Sequence, residues 1–138
     1  MNKIKALVKV GVNEGGDCYQ SSCTLPSKGF WFKPTIFTGV AQSSRIVQEE
    51  IFGPVLSIQT FRTVEEAIEK ANNTPYGLSG GVWSDKGSKV FKVTSKIKAG
   101  VLWANTYNKF DPTSPFGGFK ESGMGREGGM HGLNAYLK

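Results

Sequence analysis

Hydrophobic positions in the first part of the chain predict two helices, separated by a polar stretch and an aromatic one. Residues 3–12 carry apolar side chains at the spacing of one helix face. Residues 17–29 are mostly polar and are interpreted as a surface loop. Residues 30–37 are rich in aromatic and β-branched side chains, but Pro34 restricts them to an edge strand or a break. Residues 43–50 are expected to form a second, short helix.

Patterns typical of strands and helices alternate in the centre of the chain. Residues 55–61 alternate between apolar and polar side chains as a strand does. Thr63, followed three residues later by Glu66, is a capping-box sequence and predicts the start of a helix. Residues 79–83 and 101–104 are expected to be strands, with another helix between them.

This alternation predicts an α/β fold, in which crossover helices connect the strands of a mainly parallel sheet. The length of the chain predicts a single domain over residues 1–138. The second crossover helix is expected to be capped by Ser84 or Asp85 and to end at Gly100 in the left-handed conformation. A last helix is expected near residues 129–136.

The segment 105–129 is a long loop that is rich in glycine, proline and aromatic residues. In open α/β sheets, ligands bind outside the carboxyl ends of the strands. A loop that directly follows the strand at 101–104 is therefore a candidate substrate-side loop. The alternative is a purely structural loop, whose Phe side chains pack against the core and hold it in place.

Composition narrows the class of protein. Apolar residues make up 38% of the chain and charged residues 20%, which argues against disorder. Without an apolar run of about 18 residues or a signal-peptide pattern, no membrane association is expected and the predicted location is cytoplasmic. The net charge of +6 is spread along the chain, so a nucleic-acid-binding domain is a distant alternative and no nucleic-acid partner is expected.

The residues that usually carry covalent or metal chemistry are few. Cys18 and Cys23 lie in a polar segment without the spacing of a zinc or redox motif, and His131 is the only histidine. Neither cysteine is assigned a catalytic role, and no metal site is expected.

An acidic and aromatic group precedes a Gly-Pro break. A carboxylate such as that of Glu50 can accept hydrogen bonds from both hydroxyls of a ribose diol. An aromatic ring two residues later, at Phe52, can lie against a flat ligand. The alternative from the residues alone is an exposed helix acid followed by a core phenylalanine.

Four segments carry a specific resemblance to a known family. They are residues 34–37 (PTIF), 48–55 (QEEIFGPV), 71–78 (ANNTPYGL) and 114–127 (SPFGGFKESGMGRE). With these segments in this order, the chain resembles the C-terminal part of the catalytic domain of the NAD(P)-dependent aldehyde dehydrogenase superfamily. The resemblance implies that an aldehyde is oxidised to a carboxylic acid through a cysteine thioester, with NAD or NADP as cofactor.

The resemblance also implies roles for four binding residues. Glu50 matches the family glutamate that holds the hydroxyls of the nicotinamide ribose, and Phe52 matches the aromatic residue beside that part of the cofactor. Phe110 and Phe116 match positions that line the aldehyde tunnel. The family's cysteine nucleophile and general base lie upstream of the matching stretch, so no catalytic residue is assigned.

Three further expectations follow from the resemblance. The chain looks truncated at both ends, and by itself it is expected to be inactive. Its partners would be the aldehyde and either the rest of the dehydrogenase chain or a complementing subunit, with homo-oligomers as a further possibility. The alternative is a non-catalytic truncated paralogue or a subunit that completes a split enzyme.

Overall fold

A computed structural model describes all residues, 1–138, which form two compact units, Met1–Thr60 and Phe61–Lys138. Along the chain, the first unit contains α1 (Asn2–Asn13), β1 (Asp17–Gln20), β2 (Thr35–Thr38), α2 (Arg45–Gln48) and β3 (Val55–Ser57). The second unit contains α3 (Val64–Asn72), β4 (Tyr76–Gly77), β5 (Ser79–Val82), α4 (Gly87–Thr94), β6 (Val101–Ala104), β7 (Phe119–Lys120) and α5 (Gly129–Asn134).

The strands of the first unit form a three-stranded sheet in the order β1-β2-β3. The β2–β3 pair is parallel and the β1–β2 pair is antiparallel. Pro34 directly precedes β2, so the break expected there is confirmed, but β2 is the central strand and not an edge. The segment 17–29 differs from the expected loop because it begins with β1. Backbone pairing with β2 stabilises this strand although all four of its side chains are exposed.

The core of the first unit lies between the sheet and its two helices. It consists of Leu7, Phe37, Ile46 and Ile51, and the side chain of Phe37 is completely buried. Gly11 on α1 permits the close contact, because a Cβ there would lie 2.6 Å from the side chain of Ile46. The helix predicted at residues 3–12 is therefore confirmed, and its glycine lies where it packs against the core.

In the second unit, β5 and β6 pair in parallel, whereas β4 and β7 pair antiparallel. The strand predicted at 101–104 is confirmed, and α4 lies between the parallel strands in sequence. The α/β fold class is confirmed, with the strands distributed among three small sheets. No helix in the structure has the length and apolar character needed to cross a bilayer.

Two expectations about α4 are wrong. Neither Ser84 nor Asp85 is the N-cap, since the helix begins after Lys86. The Ser84 hydroxyl instead accepts a hydrogen bond from the Lys86 N–H (3.1 Å) in the turn before the helix. Gly100 is not among the residues with a positive φ. Glycine is required there because a Cβ would collide with the backbone carbonyl of Gly117.

The end of α3 is held by polar side chains from elsewhere in the second unit. The Asn72 amide donates to the Lys96 carbonyl (2.9 Å) and accepts from the Lys98 N–H (2.7 Å). The Lys120 ammonium donates to the carbonyls of Asn72 and Thr74, at 2.9 and 3.0 Å. A cation at the carboxyl end of a helix also interacts favourably with the helix dipole.

The N-terminus of α3 has the predicted cap. The Glu66 N–H donates to the Thr63 hydroxyl (3.1 Å), and the Glu66 carboxylate accepts from the Arg62 N–H (2.8 Å). The ammonium of Lys70 lies 2.8 Å from the same carboxylate. The Lys70 side chain, followed by the Arg62 N–H, lowers the pKa of Glu66 to about 2.

We expect Thr63→Ala to lower the free energy of unfolding by about 1 kcal/mol, because one N–H at the start of α3 loses its acceptor. The measurement is the midpoint of urea unfolding of the 138-residue chain. Thr63→Ser is the matched control, since it keeps the hydroxyl and should unfold close to the wild-type midpoint. Equal midpoints for Thr63→Ala and Thr63→Ser would contradict the role of the cap.

Candidate functional site

The segment between α2 and β3 borders a cleft in the first unit. The cleft has a volume of about 370 Å³ and is lined by residues of α2, of β3, of the segment between them and by Gln59, which follows β3. Its lining includes Glu50, Phe52 and Gln59 but no cysteine or histidine. Both cysteines of the chain are exposed free thiols on other segments. The cleft is large enough for a small ligand, but it offers no thiolate for covalent chemistry.

Burial of Ile51 orients the residues on either side of it. The Ile51 side chain belongs to the core of the first unit, whereas Glu50 and Phe52 are exposed. Ile51 thus anchors the segment, and its neighbours face the solvent at the cleft. The two candidate cofactor-binding residues lie on one wall, and the reading of Phe52 as a core residue is wrong.

The two adjacent glutamates differ in their partners. Glu49 accepts a hydrogen bond from the Arg45 guanidinium (2.5 Å), which lowers the pKa of Glu49. Glu50 has no hydrogen bond or ion pair within the chain. A ligand hydroxyl can therefore approach the Glu50 carboxylate without displacing a protein partner.

Phe52 is held in an unfavourable conformation. Its φ is +57°, and its side chain is 81% exposed. A non-glycine residue in the left-handed region costs roughly 1–2 kcal/mol. Burial of the ring does not offset this cost. The next residue is constrained as well, because a Cβ at Gly53 would lie 2.5 Å from the Ile4 side chain.

The second unit carries a chain of aromatic contacts along the loop that follows β6. The ring centroids of Trp103 and Phe110 are 5.6 Å apart, and those of Phe110 and Phe116 are 5.0 Å apart. The ring centroid of Tyr107 lies 4.9 Å from that of Trp103 and 6.3 Å from that of Trp83. The two predicted substrate-side residues are thus in direct contact. Sequence reasoning did not identify the tryptophans beside them.

Trp103 is the buried centre of this aromatic group. Its side chain is 8% exposed, whereas that of Phe110 is 56% exposed. The Trp103 indole donates to the Lys109 carbonyl (2.9 Å), directly before Phe110. The Asp111 carboxylate accepts from the hydroxyl and the N–H of Thr113, which lowers the pKa of Asp111. Phe110 therefore lies between two hydrogen-bonded positions on an ordered loop.

Asn105 joins the carboxyl ends of the parallel strands. Its side-chain oxygen accepts from the Ser84 N–H (2.9 Å), and its amide donates to the Ser84 carbonyl (3.1 Å). Its own N–H donates to the carbonyl of Val82 (2.8 Å), and its φ is +53°. The aromatic loop therefore begins from a fixed point.

The far end of the loop is also fastened by backbone contacts. Phe116 and Glu127 exchange two backbone hydrogen bonds of 2.7 Å. The Arg126 guanidinium donates to the Gly118 carbonyl (2.7 Å) and lies over the Phe119 ring. The segment 105–129 is thus not loop throughout, because it contains β7. Its Phe residues hold it in place and still leave Phe110 half exposed.

Comparison with known proteins identifies the family. The model of the aldehyde dehydrogenase family matches residues 1–138. The chain belongs to this family. The family resemblance carried by the four sequence segments is thereby confirmed for the full length of the chain.

Individual aldehyde dehydrogenases match with high identity. The chain is 44% identical to an aldehyde dehydrogenase of Enchytraeus buchholzi over 138 residues, which are 100% of this chain and 28% of that protein. It is 46% identical to retinal dehydrogenase 2 of Homo sapiens over 135 residues, which are 98% of this chain and 26% of that protein. The chain thus spans about a quarter of the length of these relatives.

Solved structures agree with the fold. The indole-3-acetaldehyde dehydrogenase of P. syringae, solved with NAD+ and IAA, superimposes with a TM-score of 0.92 at 43% identity. The match covers 98% of this chain and 28% of that one. Betaine aldehyde dehydrogenase of Staphylococcus aureus also gives a TM-score of 0.92, at 40% identity and with coverage of 98% and 28%. The chain thus has the fold of one segment of these enzymes.

We expect Phe52→Gly to unfold with a free energy about 1 kcal/mol higher than that of Phe52→Ala, because only glycine adopts a positive φ without steric cost. Both variants remove the same exposed ring, so each is the control for the other. Urea unfolding of the two variants measures the difference. An equal or higher stability of Phe52→Ala would show that the backbone at this position is unstrained.

Proposed function

We propose that residues 1–138 form the C-terminal part of the catalytic domain of an NAD(P)-dependent aldehyde dehydrogenase. The complete enzyme would oxidise an aldehyde to a carboxylic acid through a cysteine thioester. The observation that carries this proposal is the family match over the whole chain. The high similarity to a dehydrogenase structure solved with NAD+ supports it. When bound, NAD would supply the hydride acceptor.

The residues of the cleft in the first unit suit the ribose next to the nicotinamide. The Glu50 carboxylate is exposed and has no partner in the chain, so it can accept a hydrogen bond from each hydroxyl of a ribose diol. The exposed ring of Phe52 offers a flat apolar surface beside it. Glu50 would hold the sugar, and Phe52 would restrict the position of the neighbouring ring.

Phe110 and Phe116 would form an apolar wall for the aldehyde. Their rings meet edge to face, with an interplanar angle of 75°. An apolar wall orients an uncharged substrate and excludes water from the site where the thioester forms. Trp103 supports the wall from the buried side, through its contact with Phe110.

The remaining chemistry would come from polypeptide outside residues 1–138. Covalent catalysis needs a nucleophile within contact range of the substrate, and the two cysteines of this chain are exposed on other segments. The isolated chain would therefore be inactive. A cytoplasmic location is part of the proposal, and its support is the 44% identity to the mouse protein named aldehyde dehydrogenase, cytosolic 1.

A non-catalytic role is the second candidate. The chain spans 26% of human retinal dehydrogenase 2, which is also compatible with a truncated paralogue or with a subunit that completes a split enzyme. Activity of the complex with the missing part distinguishes these possibilities. A split-enzyme subunit restores aldehyde oxidation, and a paralogue without function does not.

The first test concerns the ribose contact, in a complete aldehyde dehydrogenase that carries residues 1–138 as its matching segment. We expect Glu50→Gln to raise the KM for NAD about 10- to 100-fold, since hydrogen bonds to a charged group contribute about 1.5–3 kcal/mol. The measurement is steady-state NADH formation at saturating aldehyde.

Glu49→Gln is the matched control for that test. The Glu49 carboxylate is already paired with Arg45, so its KM for NAD should stay within about threefold of the wild type, as expected for an exposed ion pair. An unchanged KM in Glu50→Gln would refute the ribose assignment. NADH formation by the isolated 138-residue chain would refute the proposal that the nucleophile lies elsewhere.

The second test concerns the apolar wall, in the same complete enzyme. We expect Phe110→Ala to lower kcat/KM for an aromatic aldehyde at least tenfold, because burying a Phe ring contributes about 1.5–3 kcal/mol. The KM for NAD should not change. Phe91→Ala removes a ring that is 76% exposed on α4 and is the control. Equal losses in both variants would argue against a substrate-side role for Phe110.

A further inference from the structure

The three-stranded sheet of the first unit has one covered and one uncovered face. Thr35 and Phe37 point into the covered face, where they are almost completely buried. The intervening residue, Ile36, points to the other face and is directly paired with Tyr19 on β1 and with Leu56 on β3. These three residues form an apolar row across the whole sheet, and we call it the Tyr19–Ile36–Leu56 row.

The Tyr19–Ile36–Leu56 row is exposed to solvent. The exposed fractions are 60% for Tyr19, 41% for Ile36 and 56% for Leu56. Antiparallel sheets with a solvent face carry polar residues on it, whereas strands paired in parallel are usually covered on both faces. The β2–β3 pair is parallel, so an apolar row on its open face is typical of a surface that another element covers.

The total surface of the chain also indicates that a partner covers part of it. The accessible surface is 9845 Å². A monomeric protein of this mass exposes roughly 7,000 Å², and two separate domains of half the mass would together expose roughly 8,500 Å². The excess is at least on the order of 1,000 Å², and this exceeds the roughly 800 Å² that one partner buries in a standard stable interface.

We propose that the Tyr19–Ile36–Leu56 row is the surface on which the remainder of an aldehyde dehydrogenase chain packs, either in continuous connection or as a separate subunit. This inference rests on the proposed function. The occupant is argued from length, because almost three quarters of each relative's polypeptide lies outside the 26–28% that this chain covers. A second copy is disfavoured, since each copy carries a net charge of +6 and two copies repel.

The test uses this chain and the part of human retinal dehydrogenase 2 outside the matched region, which carries an affinity tag. The two polypeptides are co-expressed and the tag is captured. We expect the wild-type chain to be retained, and the double variant Ile36→Lys with Leu56→Lys to be retained at least tenfold less, since it places two ammonium groups in an apolar contact.

The control is the double variant Ile36→Val with Leu56→Met, which keeps the row apolar and should be retained like the wild type. Urea unfolding of each isolated chain shows whether the lysine variant keeps its fold, and the single variant Leu56→Lys replaces it if it does not. Sedimentation of the isolated chain measures self-association.

Three results would overturn the proposal. They are the absence of a complex with the wild-type chain, a complex that the lysine substitutions leave unchanged, and a dimer of the isolated chain that these substitutions dissociate. Aldehyde oxidation is measured separately on the captured complex. A complex that depends on the row but forms no NADH would support the docking surface and refute the proposed function.

Discussion

The geometry of the candidate cofactor site depends on the packing of one side chain, that of Ile51. Its burial in the core with Leu7, Phe37 and Ile46 fixes the backbone between α2 and β3. Because the residues beside it face the other way, a carboxylate without a partner and an exposed ring lie together at the cleft. The left-handed conformation of Phe52 is maintained by this anchor and by the contact of Gly53 with Ile4.

In the second unit, close backbone contacts position the aromatic residues of the loop after β6. The backbone at Gly100 approaches the carbonyl of Gly117 so closely that no side chain fits, and this places the start of β6 beside the far end of the aromatic loop. Trp103 then contacts Phe110 from within the core, and Phe116 is held by its backbone pairing with Glu127. The wall of aromatic rings is thus supported at both ends by residues that need not contact a ligand.

Local patterns in the sequence predicted local structure well. The cap at Thr63, the strand at 101–104 and the break at Pro34 follow from interactions between residues that are near in sequence. β1 was not predicted because its stability comes from pairing with a strand about fifteen residues away. The role of Gly100 was also missed, since it depends on the distant Gly117.

The residues of the candidate site were singled out by the family resemblance and not by local sequence patterns. The family resemblance singled out Glu50, Phe52, Phe110 and Phe116, and their roles remain predictions. Residue patterns alone favoured a core position for Phe52, because nothing local indicates that an aromatic residue adopts a positive φ. Trp103 was missed because a tryptophan in a buried strand is ordinarily read as core packing. Its contact with Phe110 depends on the path of the loop after β6, which returns to the strand and brings the two rings together.

The side chain of Asn105 engages the N–H and the carbonyl of Ser84 at once. Only an amide of this length offers an acceptor and a donor in that arrangement. Aspartate has the same shape, yet deamidation to aspartate would replace the donor with an oxygen that faces a carbonyl oxygen. A chemical change of almost no volume would therefore replace one attraction between the two strand ends with a repulsion between two oxygens, while the backbone pairing of β5 with β6 remains.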